Sequence, residues 1–385
     1  MADEFVGILN SALKFPNIPQ FLGGSRELER ILDNDIANMK YVSVDDGDVS
    51  AVPILEIVIE AANLRPFFEN YDIRLSCLNL IKSVFLKYRY SSFGDSMDIL
   101  LPQLLQVLNK NASVSKYDHE IVEYCAICFE LLINFFPSSK RMIIELGTPE
   151  LLTIAIQSHV KSRVLVSKLC DLFALIIDDS DVPIHLDLNL VCFSVSSILS
   201  IHEPDEIALS SALHLAVSLA RLDKVSLDIM MESNITEILF KYLSLELFNL
   251  TQVIMEFFLE LSTVRRYCLL LLTKENNFLL DSLVVLGKLS AEILPRIATV
   301  WCEIVRNFSS VRALHNYLRS DAILSQILSS LAYQHHLALR IAACRAISGL
   351  SGDRTTAHKL VQMGVCARLM DALTVVMEEV RHIHL

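Results

Sequence analysis

The sequence predicts an all-α fold, a solenoid of stacked helical repeats, and three observations carry that prediction. Apolar residues recur at helical spacing through most of the chain; Ile121, Tyr124, Cys125, Cys128, Leu131, Leu132 and Phe135 mark one stripe of residues 120–136. No alternating period-two run is bounded by Asn-Gly or Asp-Gly, the mark of a hairpin. A turn followed by an apolar start recurs, and the first apolar residues expected to be buried form a ladder: Leu55, Leu104, Leu151, Val195, Ile238, Leu283, Ile327 and Leu369. Their spacings are 49, 47, 44, 43, 45, 44 and 42 residues, the period of two- or three-helix modules piled side by side.

Taken in order, residues 1–44 read as an N-terminal helical cap, broken at Pro16, Pro19 and Gly23-Gly24. Residues 45–385 read as the repeat array. Pro53-Ile54-Leu55 and Pro102-Gln103-Leu104 open its first modules, and Gly147-Thr148-Pro149-Glu150-Leu151-Leu152 sits between two helical patterns. The signal fades over residues 180–205 and returns at residues 232–239, 277–283, 321–327 and 364–369. The last repeat lacks a third helix, so Leu369, Met370 and Leu373 are expected to form an apolar interface edge. A continuing chain, a second copy (a homo-oligomer) or a C-terminal capping partner would cover it.

Composition agrees with a stack. Hydrophobic residues make up 53% and mean hydropathy is +0.45, because a helix between two neighbours is apolar on more than one face. The longest uncharged run, Ala322–Leu339, is 18 residues long but holds Gln326, Gln334, His335 and His336, so no membrane span is expected. Met1-Ala2-Asp3-Glu4 is acidic where a secretory leader is basic, and the nine cysteines are odd in number and scattered through apolar runs. Both point to an intracellular protein, cytoplasmic and/or nuclear, with reduced core thiols. A net charge of −12 argues against nucleic acid as the partner. The charge is uneven: residues 1–60 carry 4 basic and 11 acidic side chains, residues 251–385 carry 14 and 11.

No motif supports catalysis, a cofactor or a metal. Cys125-Ala126-Ile127-Cys128 is a single C-x-x-C inside an apolar helix, without a second pair. His335-His336 and His382-Ile383-His384 lack the i, i+4 spacing that puts two imidazoles on one helical face. Gly349-Leu350-Ser351-Gly352 has neither the lysine nor the preceding strand of a phosphate loop and reads as a helix C-terminus. Asp178-Asp179-Ser180-Asp181 lacks the ordered ligand spacing of a calcium loop.

Gly147-Thr148-Pro149-Glu150-Leu151-Leu152 resembles the armadillo family's Gly-Ile-Pro-x-Leu-Val turn. Ala343-Cys344-Arg345-Ala346-Ile347-Ser348-Gly349-Leu350-Ser351 resembles its third-helix pattern Ala-x-x-Ala-Leu-x-Asn-Leu-Ser, with Gly349 in place of Asn. The resemblance covers about residues 45–385 and has HEAT repeats as its near neighbour. It implies a right-handed α-solenoid of about seven to eight armadillo/HEAT-like repeats with a concave face lined by third helices. In the family's nuclear import receptors that helix presents Trp-x-x-x-Asn to a bound peptide. Here the Asn position aligns with Asn134, Leu175, Ser218, Glu260, Asn307 and Gly349, and the Trp position with Glu130, Asp171, His214, Glu256, Glu303 and Arg345. Trp301, the only tryptophan, is out of register, so nuclear-signal binding by that array does not carry over.

Five carboxylates remain on this register: Glu130, Asp171, Glu256, Glu260 and Glu303. Glu130/Asn134, Glu256/Glu260 and Glu303/Asn307 each lie one turn apart, so each pair faces one way. The row predicts a non-catalytic protein–protein interaction scaffold or adaptor holding a basic extended or helical segment in an acidic concave groove, with Arg345 closing one end. The same charges also suit the wet side of a helix with no ligand. The alternative function is a structural subunit of a larger complex, working through the solenoid edges and the apolar C-terminal end.

Overall fold

The computed structural model describes residues 2–37, 51–88, 96–178, 184, 186–203, 205–233, 235–242, 248–273, 295–333 and 336–383. No strand occurs among them, and the helices fall into two units, Met1–Ser218 and Leu219–Leu385.

In the first unit α1 (Ala2–Lys14), α2 (Ile18–Ala37), α3 (Ala51–Asn63), the single turn α4 (Arg65–Phe68) and α5 (Tyr71–Lys87) are followed by α6 (Met97–Val114) and α7 (His119–Phe135). Next come α8 (Ser139–Glu145), α9 (Thr148–Ser158), α10 (Arg163–Ile177), α11 (Leu188–Ile201) and α12 (Glu206–Leu222), whose last turn enters the second unit. Two rows result. One runs α1, α3, α6, α9, α11, each packed on the next; the other runs α2, α5, α7, α10. The N-terminal helices therefore join both rows, with α2 against α5 as α5 is against α7. Gly23-Gly24 does not break α2 as expected. A Cβ at Gly24 would lie 3.2 Å from side-chain atoms of Ile8 and Leu9, so this glycine lets α1 approach α2 closely.

The second unit holds α13 (Val225–Glu232), α14 (Ile235–Lys241), α15 (Phe248–Ser262), α16 (Arg265–Thr273), α17 (Pro295–Ser309), a 3-10 turn (Arg312–Leu314) and α18 (His315–Leu318). It ends with α19 (Asp321–Leu331), α20 (Leu337–Leu350), α21 (Arg354–Gln362) and α22 (Val365–Ile383). Here α15, α17 and α20 form a third-helix row; α19 packs on both α20 and α22, and α21 on α22.

The ladder falls on equivalent helices, α3, α6, α9, α11, α14, α19 and α22; Leu283 lies outside the described residues. Leu55, Leu104, Val195 and Ile327 are wholly buried. Leu151 is only half-buried, and Leu152, one residue later, takes the core position. Gly147 (φ 74°) and Gly364 (φ 81°) are left-handed, each ending one helix and starting the next within two residues, a conformation that side chains with a Cβ adopt reluctantly. Gly147 fits the turn of the family resemblance.

Successive third helices of the first unit are tied at their N-termini. Asn70, Asp118 and Asp205 each cap a helix by accepting from the backbone N–H three residues on, at 3.1, 3.0 and 2.9 Å. The first residue of one helix reaches the cap of the next: Tyr71 donates to Asp118 (3.4 Å) and Glu120 (2.9 Å), His119 meets Ser162 Oγ at 2.8 Å, and Arg163 pairs with Asp205 at 2.8 Å. Behind these rungs His159 donates to Lys116 O (3.2 Å) and His202 to Val160 O (2.6 Å), each reaching back one repeat.

Asp353 does the same work in the second unit. It caps α21 by accepting from Thr356 N (2.9 Å) and Oγ1 (2.6 Å) and pairs with Arg319 at 2.9 Å. The Thr356 hydroxyl and amide, with Arg319, pull its carboxyl down from 3.8 to about 2. A folded-state value below the unfolded one adds stability above about pH 4, lost as pH falls toward 2. Asp353→Asn should therefore be less stable than the parent at pH 6, with the gap closing by about pH 2.5, in urea unfolding followed by Trp301 emission. Trp301 suits this: it is the only tryptophan, 1% exposed on α17.

Candidate functional site

The residues of the predicted row lie on α7, α10, α15, α17 and α20, all third helices, but they divide between the units and are described unit by unit.

In the first unit Glu130 and Asn134 are exposed one turn apart on α7, and neither meets another side chain among the described residues. The rest of this face is a polar lattice. Lys82 of α5 lies 5.1 Å from the Tyr124 ring centre, and Lys168 of α10 bonds Glu123 of α7, which also lies 3.9 Å from His119. Asp171 of α10 is exposed by area, yet neighbours crowd its carboxyl. That desolvation raises its pKa, against the Ser211 hydroxyl bond (3.0 Å) and the nearby His214. Of the remaining register positions, Leu175 is half-buried, Ser218 is buried and bonded to His214 O, and His214 is exposed.

In the second unit the structure departs from a free acidic row. Glu260 meets Arg221 at 3.2 Å and Lys224 at 2.6 Å, and Glu256 faces Arg221 at 3.7 Å and accepts from Gln252 at 3.3 Å. Glu303 binds Arg306 at 3.1 Å within α17 and Arg345 of α20 at 3.2 Å. The carboxylate side chains are 13–22% exposed and the cations over them 45–58%, so the chain neutralises these acids itself. Arg345 does not close an empty groove; it ties α20 to α17. Asn307 is also engaged, donating to Ser262 Oγ of α15 at 2.8 Å. Gly349 stands where helices touch: a Cβ there would fall 2.3 Å from Ser309 Oγ.

Cys125 and Cys128 are core residues of α7, with Sγ atoms 3.9 Å from Leu108 O and 3.5 Å from Leu78 O; burial pushes the Cys128 thiol up to about 12. Nearby, Cys125, Ala126, Phe129 and Leu152 line an apolar void of about 20 Å³, room for a single water and no ligand. Among the described residues no three His, Cys, Asp or Glu side chains are grouped to hold a metal, and no helix is long and apolar enough to cross a membrane. Asp179–Asp181 and His335 lie outside the described residues, as do the side chains of His382 and His384. At the edge predicted on α22, Leu369 is half-buried while Met370 and Leu373 are 64% and 58% exposed.

The N-terminal rungs were not part of the sequence-based site. Their signal was present, since the cap residues Asn70, Asp118, Ser162 and Asp205 recur at 48, 44 and 43 residues.

No family model and no curated protein matches the sequence. Solved structures do match the fold. The crystal structure of an engineered protein aligns with TM-score 0.64 at 12% identity, over 94% of this chain and 82% of its own. A structure from work on a phosphorylation switch that controls the interaction between cadherin and β-catenin aligns with TM-score 0.64 at 12% identity, over 99% of this chain and 66% of its own. β-Catenin is an armadillo-repeat protein, so the chain has the all-α solenoid fold of that class.

Proposed function

We propose that this protein is an armadillo-type, non-catalytic scaffold or adaptor whose third-helix face in the first unit binds a basic extended or helical segment of a protein partner. The observation that carries the reading is the contrast between the units. Glu130 and Asn134 are exposed and free of intramolecular partners, with the Asp171 carboxylate on the next helix of the row, whereas Glu256, Glu260 and Glu303 are neutralised in place. A free carboxylate beside a free amide offers a cation one charged and one neutral acceptor. The solved structure from the cadherin–β-catenin work supports a binding role for the fold, without fixing this chain's partner.

The test is a titration of a fluorescein-labelled Lys/Arg-rich peptide, followed by anisotropy at low salt. Glu130→Lys with Asp171→Lys removes two exposed attractions and adds two repulsions, so affinity should drop about tenfold or more, and the parent's affinity should fall as salt rises. Glu256→Gln should leave it unchanged. Equal affinity of the double variant and the parent would reject the proposal.

A further inference from the structure

One register position is covered in the third helices before α20 and bare in α20. The residue just before Glu130, Asp171, Glu256 and Glu303 is Phe129, Cys170, Met255 or Cys302, each 1% exposed or less. Before Arg345 it is Cys344, which is exposed. Cys344 belongs to a stripe with Leu337 (51% exposed), Ile341 (43%), Ser348 and Ser351, at steps of four, three, four and three residues, the spacing of a helix-packing seam. On α22, Cys366, Met370 and Leu373 repeat that spacing, and all three are exposed.

The stack of the second unit says what such a pair of faces receives. α20 rests against the preceding third helix, α17, and against the second helix of its own repeat, α19; α22 then packs on α19 as the next second helix. The following third helix would have α20 and α22 as its two walls, and those walls carry the uncovered stripes. Small side chains on the α20 wall permit an approach as close as that of α20 to α17, where Gly349 meets Ser309.

We propose that this slot takes an amphipathic α-helix supplied by a partner protein, small or apolar toward α20 and α22 and acidic on its flank. The flank follows from charge. Arg354 and Arg368 are exposed with no side-chain partner among the described residues, and Arg345 is 58% exposed with one bond, to Glu303. Against them stands Asp371, exposed and unpaired, while Asp353 is engaged by Thr356 and Arg319. A second copy docked here would set like cations against one another. The inference is independent of the α7–α10 face.

The probe is a synthetic peptide copying Phe248–Ser262, the chain's own third helix with Glu256 and Glu260 beside an apolar stripe. It is titrated against the whole chain while maleimide labelling of Cys344 and Cys366 is followed by mass spectrometry; the other seven cysteines are buried. Saturable binding should slow labelling at both sites about tenfold, and Ile341→Lys or Met370→Lys should remove binding and protection without moving the Trp301 unfolding midpoint. A peptide with both glutamates changed to lysine should bind about tenfold more weakly. Absence of protection, or binding indifferent to Ile341→Lys, overturns the proposal. So does a dimer of the parent chain in sedimentation that Ile341→Lys dissociates, which would make a second copy the occupant.

Discussion

Glu260→Lys combined with Glu303→Lys is expected to destabilise the second unit by about 2–4 kcal/mol, while Glu130→Lys, the same change on α7, moves stability by about 0.5 kcal/mol or less. The difference lies in what each carboxylate touches. Glu260 is 13% exposed between Arg221 and Lys224, and Glu303 is 18% exposed between Arg306 and Arg345. Exposed pairs contribute little and breaking buried pairs costs about 3–5 kcal/mol, so these two sites fall between those limits. Reversal also adds repulsion by placing three cations together at each site. Urea unfolding read by Trp301 checks the double variant, and far-UV circular dichroism with the same denaturant checks Glu130→Lys. A double variant within 0.5 kcal/mol of the parent would show that the carboxylates are not struts, and would restore them as free ligands for a basic partner.

How much of this was legible depends on the distance over which each interaction reads. Helix period and the ladder were visible because a second helix buries the same face in each module; Leu104, Val195 and Ile327 are fully buried for that reason. The shift from Leu151 to Leu152 shows the limit, since two adjacent leucines after a left-handed glycine offer no local reason to choose. Charge pairing was harder. Counting positions on one helix places Glu256 and Glu260 together but says nothing of Arg221, 39 residues before Glu260, or of Arg345, 42 residues after Glu303. Those separations are close to one repeat, so a search for opposite charges one period apart would have exposed them. Glu130 and Asn134 escape neutralisation because no described cation faces them from a neighbouring helix. Gly23-Gly24 was misread for a related reason: a glycine pair suggests a break until a second helix close to Gly24 supplies another reason for it.

Gly349 carries the second large effect, and here the expected sign depends on its neighbour. Glycine in a helix ordinarily costs up to about 1 kcal/mol against alanine, so Gly349→Ala on propensity alone should stabilise. The geometry reverses this. The new methyl would sit 2.3 Å from Ser309 Oγ, and that hydroxyl donates to Arg306 O at 2.6 Å, so it must break its bond and turn, or α20 must lift from α17. Gly349→Ala should thus lose about 1–2 kcal/mol and Gly349→Leu about 3 kcal/mol or more, as overpacked helix contacts do. Ser309→Ala removes the obstructing oxygen and leaves Ser309 Cβ at 3.4 Å, ordinary contact distance. In that background Gly349→Ala should become neutral or stabilising by up to about 1 kcal/mol, a coupling that two non-contacting sites do not show. Additive effects in the cycle would mean that α20 does not sit on α17 at this distance. The glycine also accounts for one departure from the family-like register. The position that offers an asparagine to a ligand in the import receptors here draws α20 onto α17, and the stripe that α20 then leaves bare carries Cys344 rather than a polar anchor.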